Sequence, residues 1–222
     1  EPSPLTGGAA RMATLLCALP LIFGFGLPVA VIASHAAEHP ENWLEAEFWG
    51  ALARTVALGA VAAFVAVCAG LFLAFGARRS ASNRPKLIAQ ATMIGYAAPG
   101  AVIAVGVLIP LAALDRTIHY SSLSLFGVGT GLLLTGSAFA IIFAYVVRFN
   151  AIGYGALDGA FGRITPSMDM AARSLGETAG GALKRVHLPL IRGSVLTAAL
   201  LIFVDGVKEL PATLILRPFN FE

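Results

Sequence analysis

Charge is scarce in this sequence. Asp, Glu, Lys and Arg make up 12% of its 222 residues, against about 25% in ordinary soluble domains. With 58% hydrophobic residues and a mean hydropathy of +0.83, the surface cannot be solvated like that of a soluble globule, and a membrane protein is the class that remains. Cysteine is almost missing. Cys17 and Cys68 are the only two; both lie in apolar runs, where small buried hydrophobes are expected rather than a disulfide. A net charge of +3 gives no basis for a nucleic-acid partner. No Gly-x-x-x-x-Gly-Lys-Ser/Thr loop occurs, so the chain lacks that means of cradling ATP phosphates. There is no internal repeat, no initiator Met and no recognisable signal peptide. The chain opens on EPSPLTGG and stops at PFNFE, and it is expected to be a fragment of a longer one.

What is present is a series of long apolar runs. A bilayer core takes about 20 apolar residues in a helix. Residues 12–34, 55–77, 87–114 and 123–147 are free of charge, and 193–216 is apolar except for Asp205, Lys208 and Glu209. Each should be a helix, because an open strand edge cannot be satisfied in lipid. Pro99-Gly100 and Pro110 interrupt the third run; a kink there, or a bend lining a pathway, would leave carbonyls needing partners. Gly127, Gly129 and Gly131 open the fourth, with Gly127 and Gly131 spaced for close helix approach.

The loops alternate in charge. Residues 35–47 carry Glu38, Glu41, Glu45 and Glu47 and no Lys or Arg, whereas 78–86 carry Arg78, Arg79, Arg84 and Lys86 and no acid. Residues 115–122 are neutral overall, and 148–189 are basic through Arg148, Arg163, Arg173, Lys184 and Arg185. Positive loops stay cytoplasmic. This puts the N-terminus and the 148–190 loop inside, with Trp43 and Trp49 as interfacial anchors outside. The arginine cluster at 78–86 is mainly a determinant of this topology.

The last loop holds the polar stretch DMAARSLGETAGGALKRVHLP, residues 169–189. A chain this hydrophobic has little reason to keep such a loop unless it docks on something. Thr165-Pro166-Ser167 reads as a helix start, Ala171, Ala172 and Leu175 continue on one side, and Gly176 is a natural stop. A second short helix is expected over 177–187, with Pro189 separating it from the fifth span. The order Ala171-Ala172, Gly176, Val186, Leu188, Pro189 resembles the EAA loop of ABC importer permeases: Glu-Ala-Ala, three residues, Gly, nine residues, Ile-x-Leu-Pro. Val186 replaces Ile. Met170 stands at the family's Glu position, with Asp169 beside it but pointing elsewhere on a helix. A narrower stretch, Val207-Lys208-Glu209-Leu210-Pro211-Ala212-Thr213-Leu214 with Leu216-Arg217-Pro218-Phe219, resembles the C-terminal half of ferric-iron transporter permeases.

The resemblance implies an all-α membrane protein with the type I ABC importer transmembrane domain, the MetI-like helical bundle. Five spans are visible in a single domain over 1–222, and a sixth is expected beyond Glu222. It implies a cytoplasmic coupling loop over 148–190, with Asp169, Met170, Ala171, Ala172, Leu175, Gly176, Val186, Leu188 and Pro189 seated on a dimeric ATP-binding subunit. It also implies a second permease half, fused upstream or separate, a periplasmic solute-binding protein, and a place in the bacterial inner membrane. The chain would then be no enzyme: ATP is bound and hydrolysed by the partner, and no cofactor or metal is bound here. Ferric iron is the expected solute; thiamine, sulfate, molybdate and polyamine are alternatives.

Asp205, Lys208 and Glu209 stand out without any family. Their spacing puts all three on one helical face, and charges in a membrane face a bundle interior or a wet pathway. With Pro99 and Gly100 they are candidates for a path or gate; the competing reading is a structural ion pair. His35-Ala-Ala-Glu38-His39 matches the inverted zinc-protease pattern His-x-x-Glu-His, but Pro40 follows at once and the segment reads as a short external loop. His119 and His187 show no partner in the sequence, and His187 reads as a surface contact.

Overall fold

The computed structural model describes residues 6–80 and 82–218, with the backbone alone for Asn42. Residues 1–5 of the opening segment and Phe219 of the closing motif lie outside them. All regular structure among the described residues is helical, and five segments are long and apolar enough to cross a membrane: Gly7–Glu38, Ala46–Arg79, Gly100–Phe126, Ala138–Phe161 and Ala179–Val207. The chain is an all-α, multi-pass membrane protein.

It divides into two units, Glu1–Leu52 and Ala53–Glu222. In the first, α1 (Gly7–Leu21) and α2 (Leu27–Glu38) are joined by one wide π turn, Ile22–Gly26. Pro28 explains the widening, because a proline ring collides with the carbonyl four residues earlier in a regular helix. His39 ends α2 with φ −124° and ψ 62°. The indole nitrogen of Trp43 donates to the Ala36 carbonyl (3.0 Å), and that of Trp49 to the Trp43 carbonyl (2.9 Å). His35 hydrogen-bonds back to the Val31 carbonyl, and His39 pairs with Glu41. The two histidines therefore do not share a helix as the zinc-protease chemistry requires.

The second unit is built around α7 (Ala138–Phe161), whose buried face runs Ile141, Ala144, Tyr145, Phe149, Gly153, Leu157 and Phe161. Around it stand α5 (Ile94–Ala97), α6 (Gly100–Phe126), α10 (Leu188–Val207) and α11 (Leu210–Leu216). Helix α3 (Ala46–Arg79) begins in the first unit. Within the second it buries a row of small residues, Gly59, Ala62, Ala63, Ala66, Gly70 and Ala74. A Cβ on Gly70 would meet the Gly153 carbonyl carbon at 2.7 Å, so the α3 and α7 backbones touch there, as small residues permit in membranes. This pair, and not Gly127 with Gly131, makes the close approach.

Several span ends differ from expectation. The third run is broken: α4 (Arg84–Ala91) and α5 precede an extended Ala98 (ψ 140°), and α6 starts only at Gly100. A residue before proline is pushed out of helical angles. Pro110, in contrast, sits inside an unbroken α6. Residues 115–122 are helix rather than loop, and the actual connection is 127–137, with Gly127 closing α6 at φ +70°. The glycines therefore lie in that connection, where the His119 ring accepts from the Gly131 amide (3.0 Å).

The connection is held by Asp115. Its buried carboxylate accepts from the Leu133, Leu134 and Thr135 amides (3.1, 2.8 and 2.8 Å) and from the Thr135 hydroxyl (2.7 Å). Cys17 and Cys68 are exposed on their helices rather than buried.

Candidate functional site

The stretch between α7 and α10 forms an elbow. Thr165 is extended and Pro166 opens α8 (Pro166–Ser174), as its sequence dictates. Gly176, at φ +82°, reverses the chain; left-handed angles are cheap only for glycine. Thr178 then caps the four-residue α9 (Ala179–Ala182), accepting from the Gly181 amide (3.1 Å). A π turn, Leu183–His187, passes straight into α10. Pro189 therefore does not separate a helix from the span. It lies in the first turn of α10, and the π turn absorbs the clash its ring would make.

The elbow has two faces. Ala172 is buried, whereas Met170 and Leu175 are 61% and 85% exposed. Ala171 and Gly176 are also exposed, Val186 and Leu188 half-buried and Pro189 exposed. The expected grouping of Ala171, Ala172 and Leu175 on one side does not hold, because only Ala172 turns inward. Arg185 pairs with Glu177 across the turn.

Asp169 also turns inward. One oxygen meets His187 Nε2 at 2.7 Å, and the other meets Arg78 Nη2 at 3.4 Å. Burial pushes the Asp169 carboxyl up, but the His187 hydrogen bond and charge, with the Arg78 guanidinium, outweigh it and hold it below the usual carboxylate range. His187 is no surface residue. It is 1% exposed, edge-on to the Phe75 and Phe161 rings at 5.9 and 5.7 Å. Arg78 is likewise more than a topology charge. Its guanidinium donates to the carbonyls of Phe161 (2.6 Å) and Ile164 (2.8 Å), closing the end of α7. This is favourable placement for a cation at a helix C-terminus.

The second candidate site lies where two broken helices cross. Lys208 and Glu209 separate α10 from α11, and Ala98 and Pro99 separate α5 from α6. Arg148 of α7 reaches both breaks. Its Nη1 donates to the Ala98 carbonyl (3.0 Å), and its Nε stands 3.4 Å from Glu209 Oε2. The Ala98 carbonyl, left without a helical donor at the break, thus has a protein partner, as backbone at membrane depth requires. Tyr145 secures the other break, its hydroxyl donating to the Glu209 carbonyl (3.0 Å) beside Thr213 Oγ1 (2.5 Å). A Cβ on Gly100 would strike the Glu209 carboxylate, so glycine is what lets the breaks meet.

Asp205, Lys208 and Glu209 do not share a face, because the helix stops before Glu209 (ψ 85°). Lys208 pairs with Asp205 at 3.0 Å, and Tyr96 donates to Asp205 (3.3 Å). With Arg148 counted, the cluster is two ion pairs without net charge. No group of three or more His, Cys, Asp or Glu that could hold a metal occurs among the described residues.

No family model matches the chain. Among curated proteins it is 23% identical, over 95% of its length and 78% of the relative's, to a Salmonella typhimurium permease assigned to 2-aminoethylphosphonate transport. It is 27% identical, over 93% of its length and 74% of the relative's, to a Haloferax volcanii ABC transporter permease assigned to molybdenum. A ferric transport system permease of Actinobacillus pleuropneumoniae is 28% identical over 76% of the chain, which spans 22% of that longer protein. With five helices long and apolar enough to cross a membrane, and with each of these relatives matching most of its length, the chain is similar to the permease proteins of ABC transport systems.

Proposed function

We propose that the chain is the membrane subunit of an ATP-driven importer for ferric iron. A binding protein outside delivers the solute, and an ATP-binding subunit drives alternating access from the cytoplasm. The observation that carries this reading is the elbow. Its first helix, α8, lies outside the spanning segments, and the turn around it shows Met170 and Leu175 to its surroundings while Asp169 and Ala172 fasten it from beneath. Two exposed apolar side chains at the tip of an anchored helix suit a docking element. The region 148–190 then acts as coupling loop, although its first part belongs to α7. The charge alternation supports a cytoplasmic elbow even with the corrected ends, since 127–137 carries no charge and Arg84, Lys86, Arg163 and Arg173 stay on the elbow's side.

The Lys208–Leu214 stretch, with relatives named for ferric transport, supports iron. A second reading, an oxyanion such as molybdate, draws on the relatives assigned to phosphonate and molybdenum, which cover more of the chain. In either case the crossed helix breaks are the moving part of the path. Asp205, Lys208, Glu209, Pro99 and Gly100 shape it, and Arg148 and Glu209 hold it closed without binding solute. The deciding experiment is uptake into vesicles holding the full chain, its ATP-binding subunit and its binding protein. ATP-dependent accumulation of ferric iron that molybdate does not compete supports the proposal; accumulation of molybdate alone replaces iron, and no ATP-dependent uptake of any solute rejects the importer reading.

A further inference from the structure

The linkage between elbow and span is soft along the chain. From α8 to α10 it passes the left-handed Gly176, the four-residue α9 and a π turn. Each of these bends more readily than a regular helix, so a push on Leu175 transmitted by the backbone alone would be absorbed there. One side-chain contact bypasses the whole excursion. Asp169, in the first turn of α8, meets His187, the last residue of the π turn, across 18 positions of sequence.

Space filling does not account for this contact. His187 lies among apolar and aromatic neighbours, and its Nδ1 has no protein partner. A leucine or phenylalanine would fill the niche without the cost of burying an imidazole. Asp169 needs no histidine either, since an acid in the first turn of a helix is already favoured by the helix dipole. What the pair adds is direction. The carboxylate accepts from Nε2 on one oxygen and faces Arg78 on the other, and Arg78 is fixed to the carbonyls of Phe161, the last residue of α7, and of Ile164 just beyond it. Elements α3, α7, α8 and the root of α10 therefore meet at one carboxylate.

We propose that the Asp169–His187 pair, backed by Arg78, is a positioning strut that makes the elbow and the root of α10 turn as one piece, so that motor closure moves α10 instead of flexing the loop. This rests on the coupling reading above. The test is the amount of solute imported per ATP hydrolysed by the reconstituted complex. Asp169→Asn keeps the size of the side chain but weakens its hold on both partners. The complex should still assemble and hydrolyse ATP, while solute per ATP falls about five-fold or more, the low end of ordinary coupling between sites. His187→Asn should do the same from the other side, and the exchanged variant Asp169→His with His187→Asp should recover at least part of the loss.

An unchanged ratio in both single variants overturns the strut while leaving the importer reading in place. Loss of assembly and ATPase activity together in both also overturns it, since the pair would then be an ordinary folding contact. Absence of ATP-linked uptake in the unmodified complex fails the coupling reading itself.

Discussion

Replacing Arg148 by methionine should be among the most destabilising single changes in the spanning region. Arg148 and Glu209 are 19% and 9% exposed, and their charged ends are 3.4 Å apart at closest approach. The geometry is that of a charge contact rather than a hydrogen bond, because Arg148 Nε and Glu209 Oε1 remain without a hydrogen-bond partner. Two unit charges about 4 Å apart attract by about 4 kcal/mol at an effective dielectric of about 20. Removing one partner of a buried pair strands the other, at a cost of about 3–5 kcal/mol. Loss of the Ala98 contact adds about 1 kcal/mol. The double variant Arg148→Met with Glu209→Gln strands no charge and should regain about 2–4 kcal/mol of that loss, as replaced buried pairs commonly do. Unfolding of the purified protein in mixed micelles, followed by denaturant titration for wild type, both single variants and the double, gives the interaction energy directly. Simple additivity of the two single variants, within about 0.5 kcal/mol, would refute the claim that this pair clamps the two helix breaks.

Two further outcomes follow from the same geometry. Gly176→Val places a β-branched side chain at φ +82°, a strain of about 1–3 kcal/mol; ATPase association and uptake should be lost while membrane insertion, measured by fractionation, survives. Lys208→Glu sets a second acid against Asp205 at the α10 break; uptake should fall while the ATP-binding subunit still co-purifies, because this residue is remote from the elbow.

The apolar runs made the class and the number of spans legible, since burial in lipid imposes composition directly. Their ends were not legible, because counting treats a charge as a boundary. Asp115 carries one through α6 by accepting three backbone amides, a solution that no periodicity shows. Punctuation near the elbow was readable where one residue decides it: Thr165-Pro166 at the start of α8 and Gly176 at its end. Partnerships across the fold were not. Glu209 was visible as a costly charge, but its partner Arg148 is far away in sequence and read as a loop charge. His187 appeared exposed because the polar residues around it hide an aromatic niche formed by Phe75 and Phe161.

The most direct test of the docking claim uses the most exposed apolar residue of the elbow. Leu175→Cys, in a chain with Cys17→Ser and Cys68→Ser, is exposed to a membrane-impermeant thiol reagent in intact cells and in inverted vesicles, and then to oxidative cross-linking with a cysteine-bearing ATP-binding subunit. The account predicts labelling in inverted vesicles only, and a cross-link that ATP strengthens or weakens. Labelling from the outside of intact cells, or no cross-link from any position on the ATP-binding subunit's surface, would contradict it.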